Sequence, residues 1–268
     1  MEINRLKQAL ATLPLGGLRS FDTIGSTNDE ALAWADAGCQ DFSLVIADEQ
    51  TRGRGRFDRK WITLPGSSLA FSLVVKPSQR EVSKLPLFAP LCGLAIWQAL
   101  KELYDLNAEI KWPNDVLIDR RKCAGILVEA AWTGLSLNGI VLGIGINISR
   151  EAVPPATDQL FQATCIEAAV GHPVDRFALL ASVLRSIILW RDKLGSSEFF
   201  DTWQSHLAFL GESVKIVQSP KTSIIGVIKG IDSKGRLVLA QPGNIETIVE
   251  VGDVHLRPAD LPSAPKES

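Results

Sequence analysis

The sequence predicts an α+β protein in which a β-sheet flanked by helices is followed by a small C-terminal β-barrel. Short apolar runs such as 42–48 and 68–75 are typical of buried strands, and apolar residues at helical spacing fill much of 158–207. Beyond Gly211, short β-prone runs separated by turn residues indicate four or five strands in about 50 residues. We therefore expect three parts: a main domain over 1–210, a small domain over 211–260 and a frayed tail over 261–268.

Two helices carry recognisable boundary signals. Ser26 and Thr27 offer hydroxyls that cap a helix start, with Glu30 three residues after Thr27, and Gly38 supplies a stop. Residues 85–104 are long and apolar, and their two prolines lie near the start, where a helix tolerates proline. We expect a helix in each segment.

Three further strand-like runs follow the second helix, over 108–112, 124–132 and 137–148. Turn residues at Asp119–Arg121 and Thr133–Gly134 separate them. The sequence therefore predicts a meander of neighbouring strands.

Composition excludes several functional classes. The chain has 268 residues, with 28 Lys and Arg against 30 Asp and Glu, so a dedicated nucleic-acid binder with a strongly basic face is not expected. No apolar run reaches the roughly 18 residues of a membrane span, and the N-terminus does not read as a secretory signal. The 4 cysteines and 3 histidines are scattered, which predicts free thiols in a cytoplasmic protein and no zinc site.

The segment 51–60 is a basic, glycine-rich loop. Because clustered cations repel one another, this density favours an anionic ligand, although a solvated basic loop or a nucleic-acid patch remains the alternative. Gly53 and Gly55 allow the backbone to approach such a ligand and donate amide hydrogen bonds to phosphate oxygens. The loop's basic residues, set against the single acid Asp58, are Arg52, Arg54, Arg56, Arg59 and Lys60.

Charged residues also cluster at the ends of two later strands. Lys111, Asn114 and Asp115 surround Trp112-Pro113, and Lys122 follows a basic turn. Proline forces an extended turn here and removes a ladder donor, so we expect these polar groups to face a cleft. The alternative is an ordinary hairpin with a charged tip.

Glycines interrupt the apolar strand 143–148. Gly143 and Gly145 either mark a bulge or clear room for a flat ligand, and both interpretations remain open at this stage. The segment is not a dinucleotide-binding fingerprint, because no third glycine opens a helix after it.

Together these motifs resemble the biotin protein ligase family, over about residues 21 to 257. Five separated motifs in the right order make the resemblance specific, whereas an isolated GRGR would be weak. The resemblance implies a mixed β-sheet flanked by helices, similar to class II aminoacyl-tRNA synthetases, and an SH3-like C-terminal barrel. The matching segments are Ser26-Thr27-Asn28, Gln50 with GRGR at 53–56, Lys60-Trp61, KWPND at 111–115, KCAGILVE at 122–129 and GIGINI at 143–148.

The resemblance also implies residue roles. Residues expected to bind biotin are Ser26, Thr27, Asn28, Gln50, Gly53, Arg54, Lys122, Gly125, Leu127, Gly143 and Gly145. Those expected to bind ATP or the adenylate are Arg54, Gly55, Arg56, Trp61, Lys111, Asn114, Asn147 and Arg257. The residues expected to serve catalysis are Lys122, Arg54 and Arg56. Magnesium is expected with ATP, and we place Asn114 and Asp115 near it.

The implied reaction has two halves. Biotin and ATP form biotinyl-5′-AMP and pyrophosphate, and a lysine of a biotin carboxyl carrier protein, an acetyl-CoA carboxylase subunit, then takes the biotinyl group. Such chemistry needs positioning and electrostatics more than a protein nucleophile, so we interpret Cys123 as a core residue. The loop departs from the common family pattern at Arg52 and at Phe57-Asp58, which puts retention of the adenylate in question.

Alternative functions follow from the same motifs. A lipoate or octanoyl ligase or transferase would share the fold, and a non-catalytic biotin sensor or nucleic-acid-binding module belongs to a different class. Only about 20 residues precede the first motif, too few for the helix-turn-helix domain that some relatives carry, so DNA binding and repression are not expected. No membrane association is expected, and the sequence leaves open whether a sheet edge forms a homodimer.

Overall fold

The computed structural model describes residues 1–56, 59–134, 136–154, 162–219, 222–243, 245–250 and 255–258. Two β-sheets organise these residues. The first has seven described strands flanked by helices, and the second has five described strands at the C-terminal end. The α+β class and the small second sheet predicted from the sequence are both confirmed.

The first sheet and its helices run from Ile3 to Ser205. Its strands are β1 (Gly17–Ile24), β2 (Ser43–Gln50), β3 (Ser68–Val75), β4 (Ala108–Lys111), β5 (Asp115–Ile118), β6 (Arg121–Thr133) and β7 (Ser136–Asn147). Its helices are α1 (Ile3–Leu10), α2 (Thr27–Asp36), α3 (Gln79–Val82), α4 (Phe88–Tyr104), α5 (Ile166–Val170), α6 (Arg176–Asp192) and α7 (Ser197–Ser205).

The strand order of this sheet is β1-β2-β3-β7-β6-β5-β4. β1 pairs with β2 in parallel, and the other neighbouring pairs are antiparallel, so the sheet is mixed as the resemblance implied. The stretch from β4 to β7 is the meander that the strand-like runs predicted.

Helices cover both faces of the sheet. On one face α2 packs its small residues Ala31 and Ala35 against Val45, Val74 and Val141. The larger apolar cluster on the other face is built mainly from α4, α6 and the alternate residues of the same strands. Because successive side chains of a strand point to opposite faces, the glycines of β7 lie on the α2 face with Val141.

Local chemistry explains where the helices begin. Ser26 caps α2 by accepting a hydrogen bond from the Asp29 amide at 3.4 Å, and the acids Asp29 and Glu30 lie in the favourable first turn. Asp175 caps α6 through the amides of Phe177 and Ala178. The helix start that the sequence predicted at Ser26 and Thr27 is therefore confirmed as the start of α2.

The second sheet has the order β11-β10-β9-β8-β12. Its strands are β8 (Ser213–Ser219), β9 (Thr222–Ile231), β10 (Leu237–Gln241), β11 (Ile245–Val249) and β12 (His255–Pro258), all antiparallel to their neighbours. Buried Val214, Ile216, Ile228, Leu237 and Leu239 join the main apolar cluster, so the second sheet packs directly against the first domain.

Some predicted boundaries were wrong. The run 108–112 ends at Lys111, and Asp115–Ile118 is a separate strand that the sequence did not reveal. β1 and α1 were also missed. The predicted helical stretch 158–207 holds three helices from Ile166 onward, and its residues 158–161 lie outside the described part, as do Phe57-Asp58 and the tail 261–268.

Among the helices that the structure describes, none combines the length and the apolarity needed to cross a bilayer.

Candidate active site

A row of cross-strand neighbours forms the floor of the site on the α2 face of the first sheet. Ala70 of β3 faces Gly145 of β7, which faces Gly125 of β6. Gly125 faces Asp115 of β5, and Asp115 faces Lys111 of β4. Three small residues are thus followed by the Asp115–Lys111 ion pair, so this row of the sheet changes from apolar to charged along its length.

A buried hydrogen-bond network connects α2 with β2 and β3. Gln50 Oε1 accepts from the amide of Thr27 at 2.7 Å and from its Oγ1 at 3.0 Å. Ser72 Oγ lies 2.8 Å from Thr27 Oγ1 and 2.5 Å from Asn28 Oδ1. Thr27 and Asn28 are both at most 5% exposed, so the network lies in an environment where hydrogen bonds are strong.

Two pocket glycines are required by close neighbours. A β-carbon on Gly143 would overlap the side-chain amide of Asn28, and one on Gly145 would overlap the Trp61 indole. A β-carbon on Gly125 would come within 3.1 Å of both Trp61 and Lys122. Both side chains therefore approach the sheet floor closely, and the strand of β7 continues through its glycines without a register shift.

The basic loop folds back on itself as a narrow hairpin. Gly55 N donates to Arg59 O at 2.7 Å, and Trp61 N donates to Gly53 O at 2.9 Å. The backbones of Arg54 and Lys60 form an isolated antiparallel β-bridge. A β-carbon on Gly53 would overlap the Trp61 carbonyl, so this glycine allows the two limbs to close. The hairpin thereby presents Trp61 to the glycine floor.

Arg54 is held by two carboxylates. Its guanidinium contacts Glu129 at 3.1 and 3.0 Å and Asp29 at 2.6 Å. Partial burial alone would lower the pKa of Arg54, but the hydrogen bonds to Glu129 and Asp29 outweigh it and raise the pKa. Glu129 also accepts from Asn28 Nδ2 at 2.7 Å, so it joins the basic loop to the polar network.

The charged end is a cluster of Lys111, Asp115 and Lys122. Asp115 Oδ1 lies 2.6 Å from Lys122 Nζ, and Asp115 Oδ2 lies 3.2 Å from Lys111 Nζ. Burial alone would raise the pKa of Asp115, but the two ammonium groups outweigh it and hold the pKa at about 2. Burial lowers the pKa of Lys111 despite its neighbour Asp115.

A β-bulge directs Lys122 into this cluster. Val116 pairs with Ala124 and Leu117 with Lys122, so Cys123 is the extra residue. Bulges re-aim side chains, and here Lys122 reaches Asp115 while Cys123 is 0% exposed. Burial raises the pKa of the Cys123 thiol to about 12, and its interpretation as a core residue is confirmed.

Two family models match separate parts of the chain. Family models described as "Biotin/lipoate A/B protein ligase family" and "Biotin protein ligase C terminal domain" match residues 21–147 and 209–257. The chain is 32% identical over 232 residues to a biotin--[acetyl-CoA-carboxylase] ligase of Paracoccus denitrificans, covering 83% of this chain and 94% of that protein.

The chain belongs to the biotin protein ligase family.

Two further comparisons extend this result. A bifunctional ligase/repressor BirA of Bacillus subtilis is 30% identical over 234 residues, covering 85% of this chain and 70% of that protein. Among solved structures, a biotin protein ligase from Aquifex aeolicus in complex with biotin and ATP matches with a TM-score of 0.78 and 28% identity, over 91% of this chain and 99% of that one.

Most of the family motifs meet at the one site. Thr27, Asn28 and Gln50 share the polar network, and Leu127 faces Gly143 across β6 and β7, its carbonyl accepting from Asn28 Nδ2 at 3.3 Å. Ser26 is the helix cap described above. These biotin ligase motifs therefore converge although they come from four separate elements.

Three predicted nucleotide residues have structural contacts of their own. Asn114 Nδ2 donates to Ile126 O at 2.8 Å, and Asn147 Nδ2 donates to Thr164 O at 3.0 Å. Arg56 O accepts from the Arg59 amide at 3.3 Å within the loop. Their assignments to ATP stay predictions. For Arg257 the structure describes only the backbone, which lies in β12 and pairs with Lys215 of β8.

The predicted magnesium ligands do not fit a metal site as they are arranged. Each oxygen of Asp115 already faces a lysine ammonium group, and these two positive charges oppose the binding of a divalent cation. Asn114 uses its amide nitrogen to hold β6. Within the described ranges, no group of three or more His, Cys, Asp or Glu side chains could hold a metal ion.

Sequence reasoning missed three site residues. Ser72 is a hydroxyl in the middle of the wholly buried β3, and a polar side chain at that position was a usable signal. No sequence pattern points to Thr63, yet its Oγ1 accepts a hydrogen bond from the Gln50 amide at 2.6 Å. Glu129 ends a family motif without an assigned role, and only the fold reveals its contact with Arg54.

Proposed function

We propose that this chain activates biotin with ATP and transfers the biotinyl group to a lysine of a biotin carboxyl carrier protein. The observation that carries the proposal is that glycines of the cross-strand row lie next to the lysine-aspartate-lysine cluster, while Asn28 of the buried polar network contacts Gly143, two residues from Gly145 in β7. Biotin has matching chemistry, with a ureido group in a compact bicyclic ring at one end and a carboxylate at the other end.

The polar network would receive the ureido ring. Thr27, Gln50 and Ser72 carry hydroxyl and amide groups that can donate or accept in a buried pocket, as a ligand with both N–H and C=O groups requires. Gly145 would leave space for the ring once Trp61 adjusts its position over the floor, while the space beside Gly143 holds the side chain of Asn28. Membership of the biotin protein ligase family supports this orientation.

Lys122 would stabilise the negative charge at the reacting centre. In the first half-reaction a carboxylate oxygen of biotin attacks the α-phosphorus of ATP, the bond to the β-phosphate oxygen breaks and pyrophosphate leaves. Charge accumulates on the phosphoryl oxygens, and a preorganised ammonium group lowers the energy of that state. Asp115 supports this role because it fixes Lys122 Nζ at 2.6 Å and keeps its own charge.

The second half-reaction needs an amine but no protein nucleophile. The carrier lysine attacks the biotinyl carbonyl, the bond to AMP breaks, and the amine loses a proton as the amide forms. Lys111 and Lys122 would stabilise the departing phosphate. The names of the Paracoccus denitrificans and Mycobacterium tuberculosis relatives, both biotin--[acetyl-CoA-carboxylase] ligases, support acetyl-CoA carboxylase as the source of the carrier.

Magnesium would accompany ATP as its phosphate-bound ion rather than occupy a site formed by Asp115. A magnesium ion bound to the nucleotide would supply neutralisation of phosphate charge. We place the reaction in the cytoplasm, where free cysteines such as Cys92, Cys123 and Cys165 stay reduced.

The lipoate alternative suits the pocket less well. The dithiolane ring of lipoate has no hydrogen-bonding nitrogen or oxygen, so it would leave the buried groups of Thr27, Gln50 and Ser72 without a ligand partner. The polar network therefore favours biotin.

The decisive assay combines the purified chain with biotin, ATP, magnesium and an apo carrier domain. We expect pyrophosphate release and a mass increase of one biotinyl group on a single carrier lysine. Lipoate in place of biotin is the matched substrate control and should give neither product. Labelling by lipoate but not by biotin would refute the proposal.

A further inference from the structure

The second sheet contacts the site through the buried indole of Trp112. Trp112 directly follows Lys111 in the chain and is 1% exposed. Its Nε1 donates a hydrogen bond of 3.0 Å to the carbonyl of Gly235, which lies 123 residues later in the turn between β9 and β10. This one contact joins the C-terminal sheet to the residue next to the charged cluster.

The turn that presents this carbonyl is held firmly. Asp232 Oδ1 accepts from the amides of Lys234 and Arg236, both at 2.9 Å, and Asp232 Oδ2 accepts from Arg236 Nε at 2.7 Å. Gly235 has φ +77°, and a β-carbon there would lie 2.7 Å from Leu87. The carbonyl of Gly235 therefore has a fixed position and direction.

Two further contacts brace the same strands. The link to the second sheet pairs with β4, since Ile110 N donates to His206 O at 2.7 Å and Ala208 N donates to Ile110 O at 3.0 Å. At the far end of the β5–β6 hairpin, Arg120 forms two hydrogen bonds with Glu212, at 2.7 and 2.6 Å. The strands that carry Lys111, Asp115 and Lys122 are thus held from the C-terminal side at three places.

We propose that the C-terminal sheet positions the Lys111–Asp115–Lys122 cluster through the hydrogen bond between Trp112 and Gly235. Trp112, Gly235 and Asp232 are then positioning residues for adenylate formation. The inference rests on the proposed function, because it assigns the cluster to that reaction. Lys111 shares a peptide bond with Trp112, so a shift of the indole moves Lys111 relative to Asp115, with which it pairs at 3.2 Å. Small displacements of charged groups are costly for catalysis.

The test compares two tryptophan-to-phenylalanine variants. Trp112→Phe keeps a buried aromatic ring but removes the donor to Gly235. Trp190→Phe is the matched control, because Trp190 is also buried and its Nε1 has no hydrogen-bond partner among the described residues. The readouts are kcat and the KM for ATP in pyrophosphate release, the Kd for biotin by calorimetry, and Tm.

We expect Trp112→Phe to lower kcat by about 10-fold or more, with the Kd for biotin within about twofold of wild type. Both variants lose part of a buried indole and should lower Tm, but Trp190→Phe should leave kcat unchanged. Equal kcat values for the two variants would overturn the proposal, because the contact would then be structural only.

A second experiment changes only the turn of the C-terminal sheet that carries Gly235. Asp232→Ala loosens the turn without altering any atom of the first sheet, and it should lower kcat as Trp112→Phe does. The double variant should lose no more than the stronger single variant, since both remove one contact. Additive losses would contradict the proposal, whereas absence of pyrophosphate release by wild type would refute the proposed function instead.

Discussion

Arg54 of the basic loop forms a two-pronged ion pair with Glu129 of β6, at 3.1 and 3.0 Å. The same carboxylate accepts from Asn28 at 2.7 Å. The loop that covers the site is therefore attached, through Glu129, to the network that would hold the ureido ring.

Glu129→Gln should loosen this fastening while keeping the side chain's shape. We expect biotinyl-5′-AMP to dissociate about fivefold faster, because the loop loses a charge-assisted pair. The loss in free energy of unfolding should be under about 1 kcal/mol, since the pair is partly exposed. Stopped-flow release of the adenylate and chemical denaturation measure the two effects.

The matched control for that variant is Glu30→Gln. Glu30 pairs with Arg19 at 2.6 Å on the same face of the molecule, outside the pocket. It should leave adenylate release unchanged. Similar release rates in the two variants would show that Glu129 does not hold the loop.

Acid should weaken the fold through Asp115. Its pKa is about 2 in the folded protein, below the ordinary 3.8, so its ionised form stabilises the fold above pH 3.8. This contribution, on the order of 2 kcal/mol, is lost as pH falls from about 5 towards 2. Denaturation of wild type and Asp115→Asn from pH 6 to 3 should show the difference between them shrinking. A difference that stays constant over this range would exclude the effect.

Arg56→Gly should let the adenylate escape. The loop then loses a cation that would retain a phosphate-bearing product, so free biotinyl-5′-AMP labels exposed lysines on bystander proteins. Mass spectrometry of a carrier mixed with albumin measures this, and we expect at least about a fivefold rise in albumin labelling. Arg150→Gly, a substitution of an exposed arginine outside the site, is the control. If Arg56→Gly labels albumin no more than wild type does, Arg56 does not retain the adenylate.

The fold was largely predictable where a segment's own pattern decides its structure. β3 and the start of α2 follow from an apolar run and a capping serine. β5 escaped prediction because Asp115–Ile118 follows Pro113 closely and looks like part of a turn. β1 escaped because Arg19 and Asp22 interrupt its apolar residues, as suits the edge strand of a sheet.

The site was predictable only through its motifs. Spacing along the chain placed Lys111, Asp115 and Lys122 near one another but could not show that Asp115 lies between the two lysines. That arrangement depends on the β4–β5 register and on the bulge at Cys123, both of which are set by pairing between strands. The contact between Trp112 and Gly235 joins parts of the chain that belong to different sheets, so no local sequence pattern predicts it.

Lys122→Ala tests the central claim most directly. Pyrophosphate release and the Kd for biotin should be measured side by side in wild type, Lys122→Ala and the surface control Lys101→Ala, whose lysine lies on α4 and pairs with Asp105. We expect Lys122→Ala to slow adenylate formation by about 100-fold or more and to change the Kd for biotin by less than about fivefold, because the ammonium group acts on charge that develops during the reaction. An equal loss of rate and biotin affinity, or an unchanged rate, would contradict the account.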